Sequence, residues 1–429
     1  MPSSPTRPTS PVLDVTITPV AFHDPALLNN VGVHEPFALR SVVEVRTGDG
    51  VVGLGESYGD AAHLERLHRA VPHLIGTDVF DLHAVARAVA ASLGGMPARA
   101  GDLLGQVVQD AADRVLSPFE VACLDAQGKL TGRPVSDLLG GAVRDEVAYS
   151  AYAFYKWGAH PGRDEDGWGP ALDPAEIVAQ VRRMVDEHGF TAVKLKGGVF
   201  PPQEEVEAVR ALRAEFPDLP LRLDPNGAWT PDTSVRVAEE LDGVLEYLED
   251  PTPGIPGMAE VSRRLEGRMP LATNMCVVAF EDLPPAVAQD AVQVVLSDHH
   301  YWGGLRRTQD LGRICEVFGL GLSMHSNSHL GISLAAMTHL AAATPNLDYA
   351  CDTHWPWKPA DEDVVVPGVL EFSGGAVRVP TGPGLGVDLD RDALARLHEQ
   401  YERCGLRSRD DTAYMRTVDP GFAPHRGSW

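Results

Sequence analysis

Ala192-Val193-Lys194-Leu195-Lys196, Leu221-Arg222-Leu223-Asp224-Pro225-Asn226 and Tyr247-Leu248-Glu249 decide the fold. Each is a short apolar run ending in an ionisable or amide side chain, and an amphipathic stretch follows each one. Working outward, the same unit recurs. Strands are predicted at Val147–Phe154, Ala192–Lys196, Leu221–Asp224, Tyr247–Glu249, Leu271–Asn274, Gln293–Asp298, Gly321–His325 and Tyr349–His354, with helices between most of them, as at Pro174–Glu187, Pro202–Phe216 and Leu305–Phe318. Repeated strand-then-helix units imply a parallel sheet covered by helices. Eight such strands favour a closed barrel. An open doubly wound sheet is the second choice, weakened by the lack of a GxGxxG after a first strand.

Before Val147 the pattern differs. Two β-rich runs, about Leu13–Val20 and Leu39–Glu56, are followed by helical stretches at His63–Ile75, Phe80–Leu93 and Pro118–Leu130. Gly48-Asp49-Gly50 breaks the second run as a hairpin would. This reads as a small α+β domain. The Gly- and Pro-rich tail after Val379 becomes helical over Arg391–Arg403 and is expected to pack back on it. The predicted division is 1–145 with 380–429, and 146–379.

A chain of 429 residues suits one large and one smaller domain. Its formal net charge of −24 argues against nucleic-acid and anionic-membrane partners. An anionic small-molecule substrate would need a locally positive site. The five cysteines are scattered without a CxxC pair, which reads as free thiols in a reducing compartment. The first dozen residues are Pro/Ser/Thr-rich, expected to be disordered, and lack a signal-peptide pattern; no apolar run is long enough to span a bilayer. A cytoplasmic protein is the expectation.

Barrel enzymes assemble their sites where strands end. Those ends carry Lys194, Lys196, Asp224, Asn226, Glu249, Asn274, Asp298, His325 and His354. Asp224, Glu249 and Asn274 are spaced 25 residues apart, about one strand-helix unit. Two carboxylates and an amide oxygen are hard ligands suited to Mg²⁺. Singly, each is more often a helix cap. Lys194 and Lys196 alternate on one strand, so both point into the mouth. Their proximity is expected to lower each other's pKa, leaving one as a neutral base and the other to neutralise a carboxylate. Asp298 and His325, on adjacent strands across the mouth, form a candidate carboxylate–imidazole pair, although His299 and His300 could pair differently. Ser326, Asn327 and Ser328 are placed either to cradle a carboxylate at a helix start or to cap the Leu330–Ala343 helix.

Lys-Leu-Lys (194–196), Leu-Asp-Pro-Asn-Gly-Ala-Trp (223–229), Tyr-Leu-Glu-Asp-Pro (247–251), Ala-Thr-Asn-Met (272–275), Ser-Asp-His-His-Tyr-Trp-Gly-Gly (297–304) and His-Ser-Asn-Ser-His-Leu-Gly (325–331), in this order, resemble the enolase superfamily, and its glucarate dehydratases most. Leu27–Phe37 resembles the family's substrate-covering loop and Ser408–Asp411 its closing segment. Gly94–Arg114 departs from the family's Thr-containing substrate segment.

The resemblance implies a modified (β/α)₇β TIM-type barrel with an α+β capping domain. It implies Mg²⁺ on Asp224, Glu249 and Asn274, Lys196 as one base with Lys194 as its electrostatic partner, the His325–Asp298 dyad as the other, and Asn226 beside them. Asn29, His34, Tyr152, Phe154, Ser326, Asn327, His354 and Arg409 would contact the substrate. The implied reaction is dehydration of D-glucarate to 5-keto-4-deoxyglucarate. The alternative is dehydration or epimerisation of galactarate or talarate on the same machinery. A Schiff-base lyase using either lysine is a competitor of different chemistry. The resemblance also implies a homo-oligomer.

Overall fold

The computed structural model describes residues 9–94, 99–101 and 108–429. Residues 1–8 of the segment expected to be disordered, and residues 95–98 and 102–107 of Gly94–Arg114, lie outside the described residues; Val12, at the end of that first segment, already opens a strand. Seven parallel strands run in chain order: Ala151–Phe154, Val193–Lys196, Leu221–Asp224, Tyr247–Glu249, Leu271–Thr273, Val294–Ser297 and Gly321–Met324. All but Gly321 are buried in these strands, as expected of a sheet flanked by helices and a filled interior. Helices Pro174–His188, Pro202–Glu215 and Leu305–Phe318 fall where the sequence placed them. Asp173 and Thr230 cap their helices through side chains that accept from Glu176 N and Thr233 N.

Two sequence expectations need correction. Val147–Phe154 is not one strand. Glu146–Ala148 pairs antiparallel with Ala376–Arg378, and only Ala151–Phe154 joins the barrel. Tyr349–His354 is not a regular eighth strand. It contributes one parallel bridge, Tyr149 to Cys351, plus backbone bonds from Asp348 N to Leu322 O (3.1 Å) and Asp352 N to Met324 O (2.8 Å). The ring therefore continues past its seventh strand through an irregular segment, and the chain leaves it at a 3₁₀ turn over Trp355–Trp357.

An antiparallel sheet of Val12–His23, Phe37–Thr47 and Val52–Tyr58 forms the cap, with the Gly48–Gly50 hairpin turn where expected. Gly53 and Gly55 let its last strand lie flush on helix Ala111–Thr131. A Cβ at either would stand about 2 Å from the carbonyl oxygens of Ala122 and Pro118. Helix Arg391–Cys404 lies along the first cap strand, where His398 Nδ1 bonds to Pro19 O at 2.7 Å and Gln400 donates to Ala21 O at 3.0 Å. No helix among the described residues is long and apolar enough to cross a membrane.

Candidate active site

Strand register brings the first set of groups together. Lys194 pairs in register with Arg222, Lys196 with Asp224, and Leu223 with Leu248, so Asp224 and Glu249 stand level. Lys194 Nζ lies 2.7 Å from Glu249 Oε1, 2.7 Å from Asp352 Oδ2 and 3.7 Å from Asp224 Oδ2. Lys196 Nζ lies 2.6 Å from Asp224 Oδ2 and donates to Asn226 Oδ1 at 2.9 Å. The Asn226 amide is fixed in that sense because its nitrogen donates to Asn30 Oδ1 at 3.0 Å.

The expected mutual lowering of the lysines does not hold for Lys194. Burial pulls its pKa down, but the carboxylates of Asp352 and Glu249 outweigh this and leave it well above the ordinary range. It is a fixed cation. Asp224 is pushed up by burial yet ends below its usual value because Lys196 and Lys194 face it. Glu249 is raised well above its usual value by burial, with Asp224 and Asp352 adding repulsion. Asp352 went unnoticed in the sequence. It stands two residues before His354 in a segment read as a strand, so alternation would have aimed both inward.

Asn274 follows the strand Leu271–Thr273, and its backbone N is held by Asp250 Oδ2 at 2.8 Å. Its side-chain Oδ1 is buried without a hydrogen-bond partner among the described residues. A buried amide oxygen left bare costs about 1–3 kcal/mol. A bare oxygen just past the strand that pairs with Tyr247–Glu249 would complete, with Asp224 and Glu249, the hard-oxygen donor set of a divalent cation such as Mg²⁺.

The second set comes from the last strands. Asp298 Oδ2 lies 3.2 Å from His325 Nδ1, and Oδ1 lies 2.8 Å from His300 Nδ1. Despite burial, these imidazole contacts hold Asp298 well below the usual carboxylate range. Tyr301 stacks on His325 with ring centroids 5.8 Å apart.

One cavity takes Lys196 from the first set and His325 from the second, while Lys194, Asp224, Asn226, Glu249, Asn274 and Asp298 are not among its lining residues. Asn29, His34, Tyr152, Phe154, Lys196, His325, Asn327, His354 and Arg409 all line it. Ser326 does not; its hydroxyl bonds to His354 Nδ1 at 3.3 Å, and Ser328 takes its place on the wall. Arg40, Tyr58 and Arg114 from the cap also line the cavity and were missed, because nothing local in the sequence marks cap residues as facing the barrel; Tyr301, in the loop after the strand Val294–Ser297, lines it too. Two carboxylates hold the wall in place. Asp411 grips Arg409 through two 2.8 Å bonds, and Asp24 lies 3.0 Å from His34 Nδ1. The helix start near Ser326–Ser328 is already satisfied: Glu56 accepts from Leu330 N and Ser333 N, and Asp363 from Gly331 N. The serines therefore do not cap this helix, while Asn327 and Ser328 face the cavity.

Residues 14–140 match the family described as the mandelate racemase / muconate lactonizing enzyme N-terminal domain, and residues 176–393 the enolase C-terminal domain-like family. The chain belongs to the enolase superfamily. A probable glucarate dehydratase of Streptomyces coelicolor is 54% identical over 95% of this superfamily member and 96% of its own length. An enolase from Gibberella zeae, solved with magnesium, formate and sulfate, is 61% identical with a TM-score of 0.96, covering 98% of both chains. Another from Pseudomonas fluorescens, solved with magnesium, potassium and tartrate, is 49% identical with a TM-score of 0.94, covering 99% of this chain and all of that one. This member of the superfamily is a hydro-lyase of the glucarate dehydratase type.

Proposed function

We propose that the enzyme uses Mg²⁺ to dehydrate an acid sugar, with D-glucarate giving 5-keto-4-deoxyglucarate and water. The observation that carries this is the bare Asn274 oxygen just past the strand that neighbours the level pair Asp224 and Glu249, with Lys196 and His325 lining one cavity. Charge supports the same reading. Two lysines face three buried carboxylates, Asp224, Glu249 and Asp352, so a divalent cation would turn an excess negative charge positive. When bound by Asp224, Glu249 and Asn274, Mg²⁺ would supply Lewis-acid stabilisation of the charge that develops on the substrate carboxylate.

The chain's own groups do the rest. Lys196 or His325 takes the proton from the carbon next to the carboxylate. Lys194, a permanent cation, stabilises the extra negative charge of the enolate. The β-hydroxyl departs as water with a proton from His325, and the enol becomes the 2-keto acid. Asn226 aims Lys196. Tyr152 and Phe154 wall the cavity, while Asn29, His34, Asn327, His354 and Arg409 provide polar contacts to the far end of the diacid, with Ser326 acting through His354. Residues 1–145 with 380–429 act as the cap and 146–379 as the catalytic barrel. A cytoplasmic homo-oligomer without nucleic-acid or membrane partners fits the charge and the free cysteines.

The test is a screen of D-glucarate, galactarate and talarate with added Mg²⁺, reading out 2-keto acid. Glucarate turnover that stops in chelator and returns with Mg²⁺ is expected. Turnover of galactarate or talarate alone would overturn the substrate, and turnover that survives exhaustive chelation would overturn the metal.

A further inference from the structure

Asp298 holds two imidazoles; His325 lines the cavity, while His300 does not but contacts Arg40, which does. His300 donates its backbone N to Asp298 Oδ1 at 2.9 Å and places Nδ1 2.8 Å from the same oxygen. Its other ring nitrogen, Nε2, lies 2.9 Å from Arg40 Nη2 and 3.0 Å from Ser333 Oγ. Arg40 comes from the cap strand Phe37–Thr47 and is 1% exposed. Its Nε donates to Glu56 Oε1 at 2.8 Å, and its Nη2 also reaches Ser333 Oγ at 3.3 Å. A cap residue therefore contacts the group behind the barrel's carboxylate–imidazole pair.

Arginine has only N–H donors, carries no acceptor and stays protonated. An N–H set against Nε2 leaves that nitrogen one role, as acceptor. The single ring proton must then sit on Nδ1, where it is donated to Asp298 Oδ1. That leaves Oδ2 for His325. We propose that Arg40 is a positioning residue for His325: it locks His300 as the neutral Nδ1–H tautomer, so that His300 braces Asp298 by hydrogen bonds alone and the carboxylate charge is kept for His325. This rests on the reading of His325 as an acid–base group.

Ionisable groups face His300 from every element packed against it. Asp298 and His299 face it from its own loop, Arg40, Glu56 and Tyr58 from the cap sheet, His63 from helix Ala61–Leu74, and His329 from the turn before helix Gly331–Ala342. Burial holds His299 and His63 well below the ordinary imidazole range and His329 at about 4. Tyr58 is raised to about 12, chiefly by burial, and stays neutral. The guanidinium of Arg40 is thus the cation at hydrogen-bond distance from the ring.

The test uses the full-length protein labelled with ¹⁵N in its imidazoles, with the His300 signals identified by their loss in His300→Gln. Protonated Nδ1 and bare Nε2 are expected at pH 8.5. A proton on Nε2 at that pH overturns the proposal. The kinetic arm replaces the ion pair as a unit, Arg40→Met with Glu56→Gln, because Arg40→Met alone would strand a buried carboxylate. The double variant should lose about 10–100-fold in kcat with KM held within about threefold, since general acid–base catalysis is worth about 10²–10⁴. Arg40→Lys, which keeps a donor, should recover at least about half of that loss on a logarithmic scale. A raised KM with unchanged kcat, or no recovery with lysine, overturns it. A wild-type protein that turns over no acid sugar would sink the catalytic reading instead, while the NMR result would still decide the tautomer.

Discussion

On the lysine flank of the site, the hydrogen-bond partners of Lys194 and Lys196 all come from the barrel: Asp224, Asn226 and Glu249 from strands or just past them, and Asp352 from the irregular segment that continues the ring. On the imidazole flank, Asp298 and His325 come from strand ends too, but their support comes from the cap. Arg40 reaches His300, Glu56 holds the helix start after His325, and Glu120 accepts from Leu305 N and Arg306 N beyond the Asp298–Gly304 loop. The lysine flank is fixed chiefly by register within one sheet, with Asp352 added from the irregular segment and Asn30 holding Asn226 from the cap. The imidazole flank is fixed by burying foreign carboxylates and a guanidinium between two layers. The first should fail when its own charges are changed, and the second when the cap is changed.

The largest effect is expected on the lysine flank. Asp224→Asn should lower turnover by at least about a thousandfold, because it removes a ligand from a group worth several kcal/mol. Steady-state rates across a Mg²⁺ titration, with circular dichroism to show an intact fold, check this. A loss under tenfold would break the assignment of this flank to the metal.

Asp352→Asn comes next. It removes one of the carboxylates that counterbalance the buried Lys194 ammonium, and breaking such a pair costs about 3–5 kcal/mol. Urea unfolding should show that drop, with a smaller loss in kcat than for Asp224→Asn. Unchanged stability would mean that Glu249 alone suffices for Lys194.

The smallest effect is expected at the cap. Burial raises Glu120 from 4.5 to about 7 against the bonds from Leu305 and Arg306. The folded protein then keeps a proton that the unfolded chain has released, so this group's contribution to stability is full below pH 4.5 and is lost as pH rises through 7, by about 3 kcal/mol at most. Glu120→Gln keeps an acceptor for only one of Leu305 N and Arg306 N, but it cannot ionise and should remove that slope. Unfolding free energies at pH 5 and pH 8 measure it, and an equal slope in both proteins would show that Glu120 is ionised in the fold.

The same contrast explains what could be read from the sequence. The strand order, the Asp224–Glu249–Asn274 spacing and the Lys194–Lys196 alternation follow from periodicities of two residues and about 25 residues, which are local. The eighth segment was misread because its apolar residues resemble a strand, while its backbone bonds depend on neighbours far away in the chain. Lys194 was misjudged because a second ammonium is visible two residues away, whereas Asp352 lies 158 residues off. Arg40 and Glu56 look like ordinary strand residues, and only the packing of the cap onto the barrel gives them a partner.

The most direct measurement follows exchange of the C5 proton of D-glucarate and of its C5 epimer in D₂O, by NMR, with Lys196→Ala and His325→Asn. Two independent bases on two flanks predict that each variant still exchanges one epimer and loses the other. Loss of exchange from both epimers in either variant, or from neither, would contradict the account.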